Sequence, residues 1–330
     1  MSCISKSTGT LLTNKPFFLG IAMLSVVLYH APHASSFMRV FEAGFIGVDF
    51  FLFFSGYSLC YSIKKRSLGE FYRRRFWRIA PLFVLLAIVV SLLKTVSGKV
   101  HLNVFDWFCN LTTLSYYKIG GCFIDWYLCA LFLFYLAFPL LYYFGSKANL
   151  LKVSNIVWLG VIALLICGIV SVFDISWWYG CAIGRIPIFC LGVLCYFDQQ
   201  ESRNNYKWYS LVFLLVFALS VFLYLKGTNM RGFFITDMVA PTLMLLIALL
   251  VSRFPIMVNS KMGGAIEYIG THSLEIYVAN VISELTWRLY FGNSIMGLVV
   301  YLLLNTVLAY LLILFNDQLS KIKIISGENK

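Results

Sequence analysis

Six ionisable side chains lie inside or at the ends of long apolar runs: His30, Asp49, Asp125, Arg185, Glu275 and Glu284. A charge in such a run is costly to take out of water, so each of them is a functional suspect. His30 closes the run Gly20–Tyr29, whose one other polar side chain is Ser25. An imidazole there can take and return a proton near neutral pH, as a general base must. It can equally be an interfacial histidine bonded to a neighbour. Asp49, in Gly47-Val48-Asp49-Phe50-Phe51, can orient the His30 ring as a carboxylate does in hydrolytic triads, or bond to a helix end or Ser55. Arg185, in Gly184-Arg185-Ile186-Pro187, can hold a carboxylate, a phosphate or a developing oxyanion, or form an ion pair with Asp49 or Glu275 that only fixes packing. Glu284 and Arg288 stand at i, i+4, where a local ion pair accounts for both. His33 lies past Pro32 and carries less weight.

The densest charge falls in Lys64–Arg78. There Phe71-Tyr72-Arg73-Arg74-Arg75-Phe76-Trp77-Arg78 mixes cations with aromatic rings ahead of Ile79-Ala80-Pro81. One role for this cluster is a topological anchor in contact with lipid headgroups. A second is to hold a polyphosphate such as coenzyme A, since guanidinium forks pair with phosphate oxygens and rings stack on adenine. The two roles are compatible.

Positioning these groups falls to membrane-spanning helices. The chain has 330 residues, of which 61% are hydrophobic and 12% charged. That is about half the charged fraction of an ordinary soluble domain, so much of the surface must face lipid. The 18% of aromatic residues suits membrane interfaces. Crossing the hydrocarbon takes roughly 20 helical residues, and backbone groups there must bond within the helix. The hydrophobic runs predict about ten spans, near 14–32, 41–63, 79–97, 124–145, 153–173, 177–197, 207–226, 233–252, 272–291 and 293–315. The chain therefore reads as an all-α polytopic membrane bundle forming a single domain over 1–330. The stretch 98–123 is mixed, and its run Trp107–Tyr117 suits an interfacial helix or a re-entrant piece. With the N-terminus inside, 18 of the 26 cations fall in inner segments and seven in outer ones, which predicts cytoplasmic termini and an even number of spans. The segment Pro16–Tyr29 reads as the first span rather than a cleaved signal.

The net charge of +12 is explained by loops that set topology and meet anionic lipid; no stretch resembles a nucleic-acid recognition module, so no nucleic-acid partner is expected. Nine cysteines are scattered without a CxxC pair, and no metal site is expected. Cys109 and Cys122, in or beside an outer segment, are either a disulfide or two free thiols.

Taken in order, several segments resemble the acyltransferase-3 family of integral membrane O-acyltransferases. They are Gly20-Ile21-Ala22 running to Tyr29-His30, Gly47-Val48-Asp49-Phe50-Phe51 leading to Ser55-Gly56, and Arg75-Phe76-Trp77-Arg78-Ile79-Ala80-Pro81. Next come Asp125-Trp126-Tyr127-Leu128, Gly184-Arg185-Ile186-Pro187 and Ile269-Gly270-Thr271-His272-Ser273-Leu274-Glu275-Ile276-Tyr277. The resemblance runs from about residue 16 to 315. Two positions depart from it. Leu19, eleven residues before His30, stands where the family pattern has Arg, and Asn280 stands where it has a late His. Lys15, one turn below Leu19 on the same helical face, and Arg185 are candidates to replace the missing cation.

The resemblance implies an enzyme that takes an acyl group, most often acetyl, from cytoplasmic acyl-CoA. It would pass the group to a hydroxyl of an envelope glycan, a lipid-linked sugar or another envelope molecule. It also implies a bacterial cytoplasmic membrane, with membrane lipids around the bundle. In this reading His30 deprotonates the acceptor, Asp49 orients it, and Arg185 helps stabilise the oxyanion. Arg75 and Arg78, with Arg73 and Arg74 beside them, bind the coenzyme A phosphates. No Ser or Cys nucleophile stands out beside His30, so direct attack is preferred to an acyl-enzyme. The rival readings are a transporter or flippase, disfavoured by the lack of a convincing internal repeat, and an inactive sensor or scaffold.

Overall fold

The computed structural model describes residues 12–33, 41–42, 44–150, 177–200 and 258–325, with isolated helical positions between 161 and 222. Among these residues the regular structure is helical, with no strand. The helices in chain order are α1 (Lys15–His30), α2 (Gly47–Lys64), α3 (Leu68–Val96), α4 (Val104–Leu111), α5 (Trp126–Leu150), α6 (Trp177–Ile183), α7 (Ile186–Gln200), α8 (Lys261–Thr271), α9 (Ser273–Tyr290) and α10 (Ile295–Ile325).

Five described segments are long and apolar enough to cross a membrane: Gly44–Lys64, Leu68–Val96, Trp126–Lys147, Tyr179–Gln200 and Ile295–Leu319. The sixteen-residue α1 is apolar but shorter. The predicted span 272–291 is the helix α9, which carries Glu275, Glu284 and Arg288. The predicted spans 153–173, 207–226 and 233–252 lie outside the described residues, apart from those isolated helical positions. Leu302, Leu303, Val307, Tyr310 and Leu311 on α10 are all exposed, a continuous apolar face that water would not tolerate and hydrocarbon accepts. The protein is an integral membrane protein.

Two local features differ from the sequence reading, and a third decides between alternatives it left open. The basic cluster is helical rather than a loop, because α3 begins at Leu68 with Ser67 capping the Glu70 N–H at 3.3 Å. Pro81 therefore lies inside a helix of 29 residues. The span at 177–197 is interrupted at Gly184–Arg185, which separates α6 from α7; Pro187 then falls in the first turn of α7, where its missing N–H would have had no helical partner. The stretch 98–123 holds α4, which at eight residues rises only about 12 Å and does not cross. Its Val104, Phe105 and Phe108 are exposed, as an interfacial helix requires.

A capping box at Asn103 and Asp106 starts α4, and Asp106 also accepts the Gly121 N–H at 2.7 Å. These backbone donors hold the Asp106 carboxyl below its usual range. Buried Asn110 pins the segment to α3 by donating to Ser91 Oγ at 2.8 Å and accepting the Cys122 N–H at 2.9 Å. Cys109 and Cys122 are free, buried thiols, which resolves that pair against a disulfide.

Helix α1 packs on α2, α8 and α9; α2 packs on α7; α3 packs on α5 and α9; α10 packs on α9. The α2–α7 crossing depends on two glycines, Gly56 and Gly192. A Cβ at Gly56 would sit 2.2 Å from the Phe189 carbonyl oxygen, and one at Gly192 would sit 2.1 Å from that of Phe53. Only glycine lets these backbones meet, in the small-residue packing usual for membrane helices.

Candidate active site

The C-terminal end of α1 is tied to α9 and α10 through carbonyls that the helix itself cannot satisfy. Trp287 Nε1 donates to the His30 carbonyl at 3.1 Å, and the Tyr301 hydroxyl donates to the Val27 carbonyl at 2.6 Å. These bonds fix where the His30 ring stands. Its Nδ1 is 2.7 Å from the Asn280 side-chain amide, and its Nε2 is 3.6 Å from Glu284 Oε2. The second distance is too long for a hydrogen bond. Glu284 also accepts from Arg288 Nε at 2.9 Å, so the local pair expected from the sequence exists and shares its carboxylate with the histidine.

The tautomer of His30 follows from the Tyr301 proton. As placed, Asn280 turns Nδ2 to His30 and Oδ1 to the Tyr301 hydroxyl. That hydroxyl has one proton, and the Val27 carbonyl can only accept it. A 180° turn of the amide, indistinguishable by shape, removes the double use of that proton. Tyr301 Oη then accepts from the Asn280 amide nitrogen, and Asn280 Oδ1 accepts the His30 Nδ1–H. The basic nitrogen is then Nε2, on the Glu284 side.

His30 and Glu284 line a cavity of about 350 Å³ together with Tyr29, Lys94, Asp125 and Arg185. Trp126, Phe45 and Phe123 supply aromatic wall, and Lys94 donates to the Phe123 carbonyl at 2.5 Å. Arg185 is fully buried at the α6–α7 break. Its Nε is 3.1 Å from Asp49 Oδ1, its Nη1 donates to the Cys181 carbonyl at 3.1 Å, and its guanidinium lies 5.0 Å from the Trp126 ring centre. Asp49 sits in the first turn of α2, where the helix dipole also favours a negative charge.

Here the structure departs from the expected roles. Asp49 pairs with Arg185 and does not reach His30, whose two ring nitrogens face Asn280 and Glu284. The position beside the imidazole belongs to Glu284. Arg185 lines the cavity and Asp49 does not, so the buried pair turns its positive end toward the cavity.

A second, narrower cavity of about 80 Å³ lies near the N-terminal end of α1. Three cations line it, Lys15, Arg75 and Arg78, and its described lining contains no carboxylate. Lys15 donates to Ser58 Oγ at 2.5 Å. The Arg75 guanidinium lies about 6 Å from the Phe71 and Tyr135 rings, and its buried Nε has no hydrogen-bond partner. Arg75 and Arg78 share a face of α3 because they are three residues apart. Arg73 and Arg74 do not join them: neither lines this cavity, and Arg74 Nε bonds Glu70 Oε1 at 2.9 Å. Leu19 lines this cavity beside Lys15, so Lys15 supplies a cation one turn from where the family pattern has one.

A polyphosphate fits this cation set, because three positive groups converge without an acidic partner and one donor is left unused. Among the described residues no cluster of His, Cys, Asp and Glu could hold a metal ion.

An acyltransferase domain model, that of the acyltransferase-3 family, matches residues 20–314. The chain belongs to the acyltransferase-3 family. No curated protein and no solved structure matches it. The matched region includes His30, Asp49, both cavity arginines, Arg185 and Asn280, and it begins after Lys15.

Sequence reasoning missed Tyr277 as part of the site, met Asn280 only as a departure from the family pattern, and accounted for Glu284 by its local pair with Arg288. A signal was present: these residues and Arg288 recur at spacings of three and four along α9, a polar face on a helix otherwise fit for a membrane.

Proposed function

We propose that this family member transfers an acyl group, acetyl in the first instance, from acyl-CoA to a hydroxyl of an envelope glycan or lipid-linked sugar. The observation that carries this reading is the pairing of two cavities on α1, one with three cations and one with a histidine beside a carboxylate. Lys15 and His30 are fifteen residues apart, a rise of about 22 Å along α1, which suits a donor anchored by its phosphates and reacting at the far end of a long arm.

Chemically, the acceptor hydroxyl gives its proton to His30 Nε2 as its oxygen attacks the thioester carbonyl carbon. Asn280 holds Nδ1–H, and Glu284 balances the charge that the ring acquires. The tetrahedral oxyanion forms near the positive end of the Arg185–Asp49 pair. Collapse breaks the C–S bond and leaves an ester; the coenzyme A thiolate takes the proton back from the imidazolium. Tyr29, Trp126 and Phe45 offer the flat apolar faces on which sugar rings rest. In this account the arginine cavity opens to the cytoplasm, where coenzyme A is found, and both termini lie on that side. Lipids of the bacterial cytoplasmic membrane surround the bundle.

Arg75→Gln and Arg78→Gln should each weaken coenzyme A binding by about tenfold, as expected when a charge-assisted contact is lost. Arg73→Gln, outside the cavity, should change it by less than about twofold. Equilibrium binding of labelled coenzyme A to the detergent-solubilised protein measures this. Equal effects at all three positions would show that the arginines act through bulk charge rather than through the cavity.

A further inference from the structure

The two cavities must communicate if the donor is anchored in one and reacts in the other. Among their described lining residues, Tyr277 is common to both. It is 4% exposed and stands at their boundary on α9. Its hydroxyl donates to Asp125 Oδ1 at 2.8 Å, while Asp125 Oδ2 accepts the Leu128 N–H at 2.7 Å in the first turn of α5. Its ring meets Tyr127 edge-on, with centres 4.9 Å apart. The boundary is thus a tyrosine held by one hydrogen bond and one ring contact.

We propose that Tyr277 is the gate for the donor: the acyl-bearing arm passes its ring on the way from the arginine cavity to His30, and the ring limits which thioesters pass. This rests on the acyl-transfer reading and adds to it a residue that determines donor specificity. The tether suits a gate. One hydrogen bond and one edge-on ring contact can be exchanged for contacts with a donor held by three cations, and the ring closes again when the donor leaves. Asp125, anchored by α5, keeps the acceptor for that return in a fixed place. With the ring in place the boundary is narrow, which favours a small acyl group.

The test uses full-length protein in detergent, where both faces are accessible, and two donors. One is acetyl-CoA. The other is S-acetyl-N-acetylcysteamine, a small thioester that lacks the phosphates and most of the arm and can enter the His30 cavity directly. Tyr277→Trp enlarges the gate residue. It should lower kcat/KM for acetyl-CoA by at least about tenfold relative to kcat/KM for the small thioester, over and above any loss the two donors share. Tyr277→Ala removes the ring. It should raise the kcat/KM ratio of benzoyl-CoA to acetyl-CoA by at least about tenfold. Equal loss with both donors in the Trp variant, or wild-type rates with both, overturns the gate, as does an unchanged ratio in the Ala variant. Should the Trp variant not fold, the Ala ratio decides alone. If wild-type protein transfers from neither donor, the acyl-transfer reading itself fails, an outcome distinct from failure of the gate.

Discussion

His30→Ala is expected to lower acyl transfer by about 10²–10⁴-fold, the usual contribution of a positioned general base. The variant should still fold and bind coenzyme A. The ring sits at the end of α1 with its side chain 18% exposed, and the α1–α9–α10 ties run through its backbone carbonyl and that of Val27, which alanine keeps. The arginine cavity is some four turns away along α1. Turnover of labelled acetyl-CoA by membranes carrying each form, alongside coenzyme A binding, separates the effects. A wild-type rate in His30→Ala would remove this residue from the mechanism. Loss of coenzyme A binding as well would point to a damaged fold.

The second large effect is on stability. Asp49→Ala leaves Arg185 charged and fully buried without its carboxylate, and breaking a buried pair in this way costs about 3–5 kcal/mol. The apparent melting temperature in detergent should fall sharply. An apolar replacement of both partners, Asp49→Leu with Arg185→Met, should recover much of the loss, because no unpaired charge then remains. That non-additivity separates an ion pair from two independent contributions. If the double variant melts at or below the single one, then Arg185 is held by its Cys181 and Trp126 contacts and the pair matters little. A fully active, stabilised double variant would further remove Arg185 from the chemistry.

The two predictions draw on parts of the site that were unequally legible in the sequence. His30 was visible as a candidate, because an imidazole closing an apolar run is either a proton acceptor or an interfacial histidine bonded to a neighbour, and the sequence favours neither. The charge of Arg185 was as visible, and an ion pair with Asp49 was among its open readings. The choice between that pair and a His30–Asp49 couple needed the third dimension: α1, α2 and the α6–α7 break converge only in the fold. Glu284 was concealed by a sufficient local explanation, since its partner Arg288 is four residues away and the same carboxylate can face a second group.

The arginines show the complementary limit. The resemblance puts Arg75 and Arg78 first and Arg73 and Arg74 beside them, without a physical reason that separates the two pairs. Once α3 begins at Leu68, the helical period puts Arg75 and Arg78 into the cavity and Arg74 onto Glu70. Leu19 and Asn280, the two departures from the family pattern, likewise acquire physical neighbours. Leu19 lines the cavity into which Lys15 brings a cation, and Asn280 holds His30 Nδ1 between α9 and α10. Tyr277 could not be found from the sequence as a boundary, since a boundary exists only between two cavities.

Membranes containing the protein are incubated with acetyl-CoA labelled in the acetyl group, and the envelope glycan and lipid fractions are assayed for label released by mild alkali, the behaviour of an oxygen ester. The account predicts alkali-labile label with the wild-type protein, dependent on acetyl-CoA and lost in His30→Ala. Coenzyme A binding without any ester product, or uptake of a substrate that emerges unacylated, would contradict it.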